Sequence, residues 1–402
     1  MDRPRHARSL ILGVAVALFM TACGGTGAEQ GGETAAPEAT GATGTESAAA
    51  ADSEAGGEGE ADVEELLAEG TLSGYDALPF TDILPMEEGP IEVEGETPDL
   101  VIGFSQTCFN HPWRVAMLES VQAEVERHPN VDVVTLDGNC DIVKQTNDVD
   151  DLLARGVDAI VMSPVESDGL VPAANRAVAA GVPLVVLDRD VFTDKSLFIG
   201  QSNVTMAYGV AQEMVEALDG EGMIVEITGL VGSSPAIDRS KGLAMALEEA
   251  PGIEMLTTGD GEWIREPAVA LMDDWLVRYP EIDAVFSHAE ESSWGAQLAI
   301  SRAGRCEDGI LHFTHDGSAA GFTSVSEGQF QADGNYSPFI GDIGVRAALM
   351  LLQGQEIPDA EPYDQPGQYL QLPDLPPVTP ENAEEWIPRG WGDFDPPADP
   401  CA

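Results

Sequence analysis

The sequence predicts an α/β protein of two doubly wound, Rossmann-like lobes. Two observations carry that prediction. From Asp99 onward, short apolar runs alternate with amphipathic segments at the spacing of βα units, and the alternation breaks once before resuming. Before the break, strand candidates at 100–105, 131–136, 159–162 and 184–187 are separated by helix candidates at 113–127, 142–155 and 170–180. After it come strands at 223–227, 254–257, 284–287 and 310–314, with helices at 236–249, 268–279 and 294–302. The strand runs are continuously apolar, as expected where helices cover both faces of a sheet. Ligands of such sheets bind outside the carboxyl ends of the strands, so the residues just after each strand form the candidate site.

Those positions are rich in polar and aromatic groups. Gln106, Asn110, Trp113 and Arg114 follow the first strand, and Asp188 and Arg189 follow the fourth. The second half offers Arg239, Trp263, His288, Glu290, Asp316 and Asn335. A sugar requires this mixture, with flat rings against its C–H face and planar charged groups that bond two hydroxyls at once. The same residues have structural alternatives. Asp188-Arg189 could be an interlobe salt bridge, Trp113 and Trp263 packed aromatics, Arg239 a loop-positioning group and His288 a satisfied core histidine. Trp275 and Trp294 sit within helical patterns and read as packing residues. Trp386 and Trp391 lie in a Pro-rich tail expected to wrap the body.

The amino terminus has a different grammar. Arg3, Arg5, His6 and Arg8 precede an apolar run at 10–20, shorter than the roughly twenty residues a bilayer span needs, so residues 1–22 read as a signal peptide. The run ends in Met-Thr-Ala-Cys-Gly-Gly, which resembles the bacterial lipobox and implies a lipid on Cys23. The chain is therefore expected on the outer face of a membrane or in the periplasm. Residues 23–98 form an acidic region dominated at first by Gly, Ala, Glu and Thr. Such a segment cannot bury enough surface to offset chain entropy, so a disordered tether with a reach on the order of 50 Å is expected. Within it, 63–67 could form a helical turn and 72–84 could dock on the body.

The 402 residues allow two domains with substantial cores. Against 71 acidic residues stand only 18 basic ones, for a net charge of −53. That balance excludes nucleic acid as a partner, because phosphate binding needs a basic surface. It fits a halophilic or salt-tolerant source, where dense carboxylates hydrate the surface and salt screens their repulsion. There is no phosphate loop, zinc motif or nucleophile elbow, so no cofactor, metal or enzyme activity is expected. Carboxylates could supply a glycosidase pair, but in so acidic a chain their presence is uninformative.

From Asp99 to about Asp359 the chain resembles the periplasmic sugar-binding proteins of ABC importers, of the ribose and galactose type, and among them the galactofuranose-binding proteins. The resemblance rests on Val-Ile-Gly-Phe-Ser-Gln at 101–106, Trp113-Arg114, Gly-Val-Asp-Ala-Ile at 156–160, Leu-Asp-Arg at 187–189, Ala-Ile-Asp-Arg at 236–239 and Asp316-Gly317, in order and at the right spacing. It implies the type I periplasmic binding protein fold, with three hinge segments joining the lobes. One lobe would comprise 99–204 plus 337–365, the other 205–336 plus the tail at 366–402. It also implies Trp113 and Arg114 as a ligand-contacting pair, Asp188 and Arg189 as the hydroxyl-binding pair, Arg239 as a second-lobe arginine, Trp263 as a stacking ring and Asp316 as a carboxylate facing the sugar. One departure stands out. His288-Ala289-Glu290-Glu291 occupies the place where relatives carry an Asn amide, and Ala289 cannot replace it, so Glu290 or His288 is expected to compensate, or the ligand to differ. Asn335 and Tyr336 stand where relatives carry Gln or Glu.

The resemblance implies a monosaccharide ligand (pentose or hexose, furanose forms included), ABC permease subunits as partners and a monomer. A sensor presenting its closed form to a membrane receptor would use the same fold and site. Setting Cys23 aside leaves Cys108, Cys140, Cys306 and Cys401, an even count in an oxidising compartment. Cys108 and Cys140 follow strands that lie side by side in this fold, so Cys108–Cys140 is the expected bridge, leaving Cys306–Cys401.

Overall fold

The apolar runs of the first half assemble into a single parallel sheet. The computed structural model describes residues 80–362 and 366–402. Strands β1 (Leu100–Gln106), β2 (Val131–Asp137), β3 (Ala159–Met162), β4 (Leu184–Leu187) and β5 (Leu197–Gly200) lie in the order β2-β1-β3-β4-β5. A second parallel sheet repeats that winding with β6 (Glu221–Thr228), β7 (Gly252–Asp260), β8 (Ala284–Ser287), β9 (Leu311–His315) and β10 (Ala332–Gly334), in the order β7-β6-β8-β9-β10. The chain then returns to the first sheet. There β12 (Gln368–Gln371) pairs in parallel with β5, and β11 (Glu361–Pro362) pairs antiparallel with β12.

Period-two alternation explains why the central strands are wholly apolar. Val161, Val185 and Leu187 join one core, beneath α1 (Pro112–Val125), while Ile160, Met162, Leu184 and Val186 join the other, beneath α2 (Ile142–Arg155) and α3 (Val171–Ala179). Each such side chain, fully buried, stabilises the sheet by about 1.5–3 kcal/mol. The second sheet is covered by α4 (Asn203–Ala217) and α5 (Ser234–Glu249) on one face and by α6 (Arg265–Arg278) and α7 (Glu290–Arg302) on the other. α4 and α5 cross so closely that a Cβ on Gly242 would stand 2.5 Å from the Val204 carbonyl oxygen. Trp275 and Trp294 are packing residues, as expected.

Three segments cross between the sheets: β5 to α4, β10 to α9 (Gly341–Leu352), and β12 to the tail. They are tied together. The Gln201 amide donates to the Asn335 carbonyl at 3.2 Å and accepts from Ser337 N–H at 3.0 Å, and Leu372 N–H donates to the Gly200 carbonyl at 2.9 Å. α9 then docks on α1 through the buried Arg346–Glu124 pair at 2.8 Å.

Two boundaries differ from the sequence reading. The body begins before residue 98, because Phe80, Leu84 and Ile91 are buried in the first core and the Asn130 amide clamps the backbone of Ile91 from both sides. Burial of these three apolar side chains, with the two Asn130 hydrogen bonds, offsets part of the entropy of ordering that stretch. The segment at 368–371, grouped above with the second lobe, belongs to the first sheet, since it completes the open edge of β5. From residue 373 the tail does lie on the second lobe. Val378 bridges to Asp333, and α10 (Ala383–Trp386) packs on α8 (Ala319–Ser326). The expected signal peptide at 1–22, the expected lipid on Cys23, the expected turn at 63–67 and the expected tether as far as residue 79 fall outside the described residues. Among the described residues no helix is long and apolar enough to cross a membrane.

Candidate ligand-binding site

In both lobes the winding reverses beside the first strand of the sheet, and in this topology ligands sit at such switch points. A cavity of about 200 Å³ opens there, between the lobes. The first lobe lines it with Thr107, Cys108, Asn110, His111, Trp113, Arg114, Cys140, Asp188 and Arg189. The second contributes Leu230, Pro235, Arg239, Glu262, Trp263 and Asp316, and Tyr336 enters from a hinge segment. The lobes touch directly beside it, where Ser167 N–H donates to the Gly232 carbonyl at 3.1 Å and Asp190 N–H donates to Ser234 Oγ at 2.8 Å.

The first-lobe face is organised around Asp188. Its φ of 62° is left-handed, which costs a side-chain-bearing residue about 1–2 kcal/mol and bends the chain sharply after β4. One carboxylate oxygen accepts from Arg114 Nη1 at 2.8 Å, the other from the Tyr336 hydroxyl at 2.8 Å. Arg114 also donates to Ser163 Oγ at 2.9 Å and lies 4.8 Å from the Trp113 ring centroid. Trp113 stacks on Tyr336 at 5.6 Å and donates its indole N–H to the Tyr336 carbonyl. Asp188 and Arg189 lie in the same lobe and form a long ion pair there, Arg189 Nε to Asp188 Oδ2 at 3.8 Å, rather than an interlobe bridge. Arg189 donates to the Val165 carbonyl at 3.0 Å, and its Nε has no hydrogen-bond partner among the described residues. Burial, reinforced by the Arg114 charge, lowers its pKa to about 9, which still leaves it charged at neutral pH. His111 caps α1 by accepting from Trp113 N–H, and burial lowers its pKa to about 3.

The second-lobe face is organised around Arg239. Its Nε donates to Asn203 Oδ1 at 2.9 Å and its Nη1 to the His288 carbonyl, while Asp316 Oδ1 lies 3.7 Å from Nη1. The guanidinium sits between two rings, 5.2 Å from the centroid of Trp263 and 4.9 Å from that of Tyr336. Trp263 itself has a left-handed φ of 70° and lies flat over Gly229, where a Cβ would stand 2.1 Å from the ring. Arg189 approaches it at 5.6 Å from the other lobe, and its indole Nε1 has no partner among the described residues. Burial pushes the Asp316 carboxyl well above the usual carboxylate range, opposed by Arg239.

Eight of the twelve residues singled out from sequence thus line the cavity, and Gln106, His288, Glu290 and Asn335 do not. The imidazole of His288 is occupied on both nitrogens, by Gly229 N–H and by Glu226, so it is the satisfied core histidine of the alternative reading. Glu290 accepts from the Ser318 N–H and hydroxyl, holding the loop that carries Asp316. Neither replaces the amide missing at Ala289. Gln106 bonds Thr107 N–H and Arg114 from behind the cavity, and Asn335 belongs to the hinge clamp. Thr107, His111, Leu230, Pro235, Glu262 and Tyr336 were not among those candidates. His111-Pro112 directly before a helix is a legible cap signal, whereas Tyr336 depends on how the hinge folds. Both expected bridges are present, Cys108–Cys140 and Cys306–Cys401, and the first forms part of the cavity wall. Among the described residues no cluster of His, Cys, Asp and Glu could hold a metal ion.

Comparison with known proteins agrees with this architecture. Residues 102–356 match the periplasmic binding protein domain, and the chain belongs to that family, one of binding proteins rather than enzymes. The ribose import binding protein of Bacillus subtilis is 28% identical over 265 residues, covering 65% of this chain and 85% of its own. The galactofuranose-binding protein of Escherichia coli is 29% identical over 248 residues, covering 60% and 78%. Among solved structures, a fructose-binding periplasmic domain of a hybrid two-component system superposes with a TM-score of 0.65 at 30% identity, covering 71% of this chain and 92% of that one.

Proposed function

We propose that this chain is a lipid-anchored solute receptor that captures one monosaccharide between its lobes and delivers it to an ABC importer. The observation that carries the reading is the interlobe cavity itself. Three arginines and two aspartates surround it together with the rings of Trp113 and Trp263. This is the pairing of hydroxyl-bonding planar groups with ring faces that a sugar requires. Its volume of about 200 Å³ is below the roughly 300–1,000 Å³ of sites for drug-sized ligands, which favours a single ring. The relatives' named ligands, ribose, galactofuranose and fructose, point the same way. A ligand held by both lobes favours the closed state over the open one, and a permease would read that closed surface.

The lipid on Cys23 keeps the receptor near its transporter, and the acidic segment that follows serves as the tether. The net charge of −53 supports a salt-rich habitat. Calorimetry with pentoses and hexoses, furanose-forming sugars included, is expected to find one that binds. Failure of every sugar would overturn the assignment. Mass spectrometry of the mature amino terminus checks the lipid. The two-component relative supports a second reading, a sensor that presents the same closed form to a membrane receptor. Adjacent genes for a permease and an ATPase would decide for transport.

A further inference from the structure

The carboxy-terminal segment lies beyond the residues that match the family, yet it reaches the cleft. Trp391 enters there and is only 2% exposed. Three hydrogen bonds fix it to the second lobe. Its indole N–H donates to the Asp316 carbonyl at 2.9 Å, its backbone N–H donates to the Gly317 carbonyl at 3.3 Å, and Ala319 N–H donates to the Trp391 carbonyl at 2.9 Å. The Cys306–Cys401 bond secures the far end of the segment to the same lobe. On its other side the Trp391 ring meets His111 of the first lobe, with centroids 6.4 Å apart and planes tilted by 54°. Trp391 also joins the buried cluster that contains Trp113 and Tyr336.

We propose that this segment is an interlobe strap, in which Trp391 positions the loop carrying Asp316 and latches the closed cleft against His111. The three hydrogen bonds lie within one lobe and persist when the lobes part. The contact with His111 spans the lobes and is lost on opening. An interaction made only in the closed state favours that state by its own free energy, with or without ligand. The strap thereby tightens binding of whatever the cleft takes. Which ligand that is rests on the sugar reading above, but the latch itself does not.

Hydrogen exchange of the ligand-free full chain tests the strap. In W391A, amides at 107–111 of the first lobe are expected to exchange about two- to tenfold faster, the range an aromatic contact of this kind commands. In H111A the rise is expected on the opposite lobe, at 317–319 and 390–392. W391F keeps the ring but not the indole N–H, so it should restore protection at 107–111 and leave 317–319 loosened. No change across the cleft in either W391A or H111A would overturn the proposal. So would faster exchange throughout the second-lobe core in both W391A and W391F, which would mark the segment as a lobe stabiliser only. Because no sugar is present, this outcome is independent of whether the calorimetry succeeds.

Discussion

The two faces of the cavity carry similar residues in different states of completion. On the first lobe, Asp188 is bonded by Arg114 and Tyr336, so its charge is matched before any ligand arrives. On the second, Asp316 stands 3.7 Å from Arg239, whose closer partners are Asn203 and a backbone carbonyl. Behind Asp316 lie two more buried acids. Burial and the neighbouring Asp333 push Glu290 well above the usual carboxylate range, and burial raises Asp333 to about 7. A buried charge persists when it is paired and hydrogen-bonded, and a buried acid without a cation keeps its proton instead. The first lobe is thus a preorganised ionic platform. The second is a face where burial raises the pKa values of the acids gathered around one sandwiched arginine.

The largest expected effect breaks the ionic platform. Asp188→Ala leaves Arg114 without its carboxylate and Tyr336 without its acceptor. Losing one partner of a buried pair costs about 3–5 kcal/mol of stability, so the melting temperature should fall most in this variant, and calorimetry should show sugar binding strongly weakened or abolished. Binding within a few-fold of wild type would mean that the first lobe is not the organising face. A smaller effect is expected from Trp263→Ala. It removes the ring between Arg189 and Arg239 and should weaken binding by about 1–2 kcal/mol, with a melting temperature that falls less than in Asp188→Ala.

The smallest effect sharpens the contrast through pH. The pKa of Asp333 is raised from 3.8 to about 7, so its contribution to stability is full below 3.8 and is lost as pH rises towards 7. His312 of the same lobe, lowered to about 3 by burial, acts oppositely and gains stability as pH rises from 3 to 6.5. A bare melting curve would mix the two, but Asp333→Asn removes the first, together with the push of Asp333 on Glu290, and leaves His312 in place. The melting temperature of that variant relative to wild type should therefore climb between pH 4 and pH 8. A difference that stays flat with pH would show that the second-lobe acids are not strained by ionisation.

Much of the scaffold was legible in the sequence. Helix α2 and strands β3, β4 and β8 fall on the residues that the apolar pattern marks, because short all-apolar runs bounded by polar turns leave few alternatives. The elements that escaped notice have physical reasons. α4 is interrupted by Gly209, where a Cβ would stand 3.1 Å from Pro377 of the tail. α9 is buried almost all round from Gly341 to Leu349 and so lacks a polar stripe to reveal its period. In the site, the arginines, the aspartates and the two indoles were legible because they sit directly after strands or within motifs. His288 and Glu290 follow β8 just as closely and are spent on internal bonds, a difference no local pattern shows.

By itself, then, the sequence determined the class of fold, the strand ends where the site forms and the chemistry gathered there, since periodicity and residue type are local properties. Cysteine count, with the strand order that the family resemblance implies, also anticipated both disulfide pairs. Only the tertiary structure decided which polar groups face the cavity and which face each other, because that depends on hydrogen bonds between residues far apart in the chain. It alone carried Ile91 into the first core, beyond the docking expected of 72–84, and Gln368–Gln371 onto the first sheet. It also brought Tyr336 from a hinge and Trp391 from the tail to the cleft, where the two lobes meet.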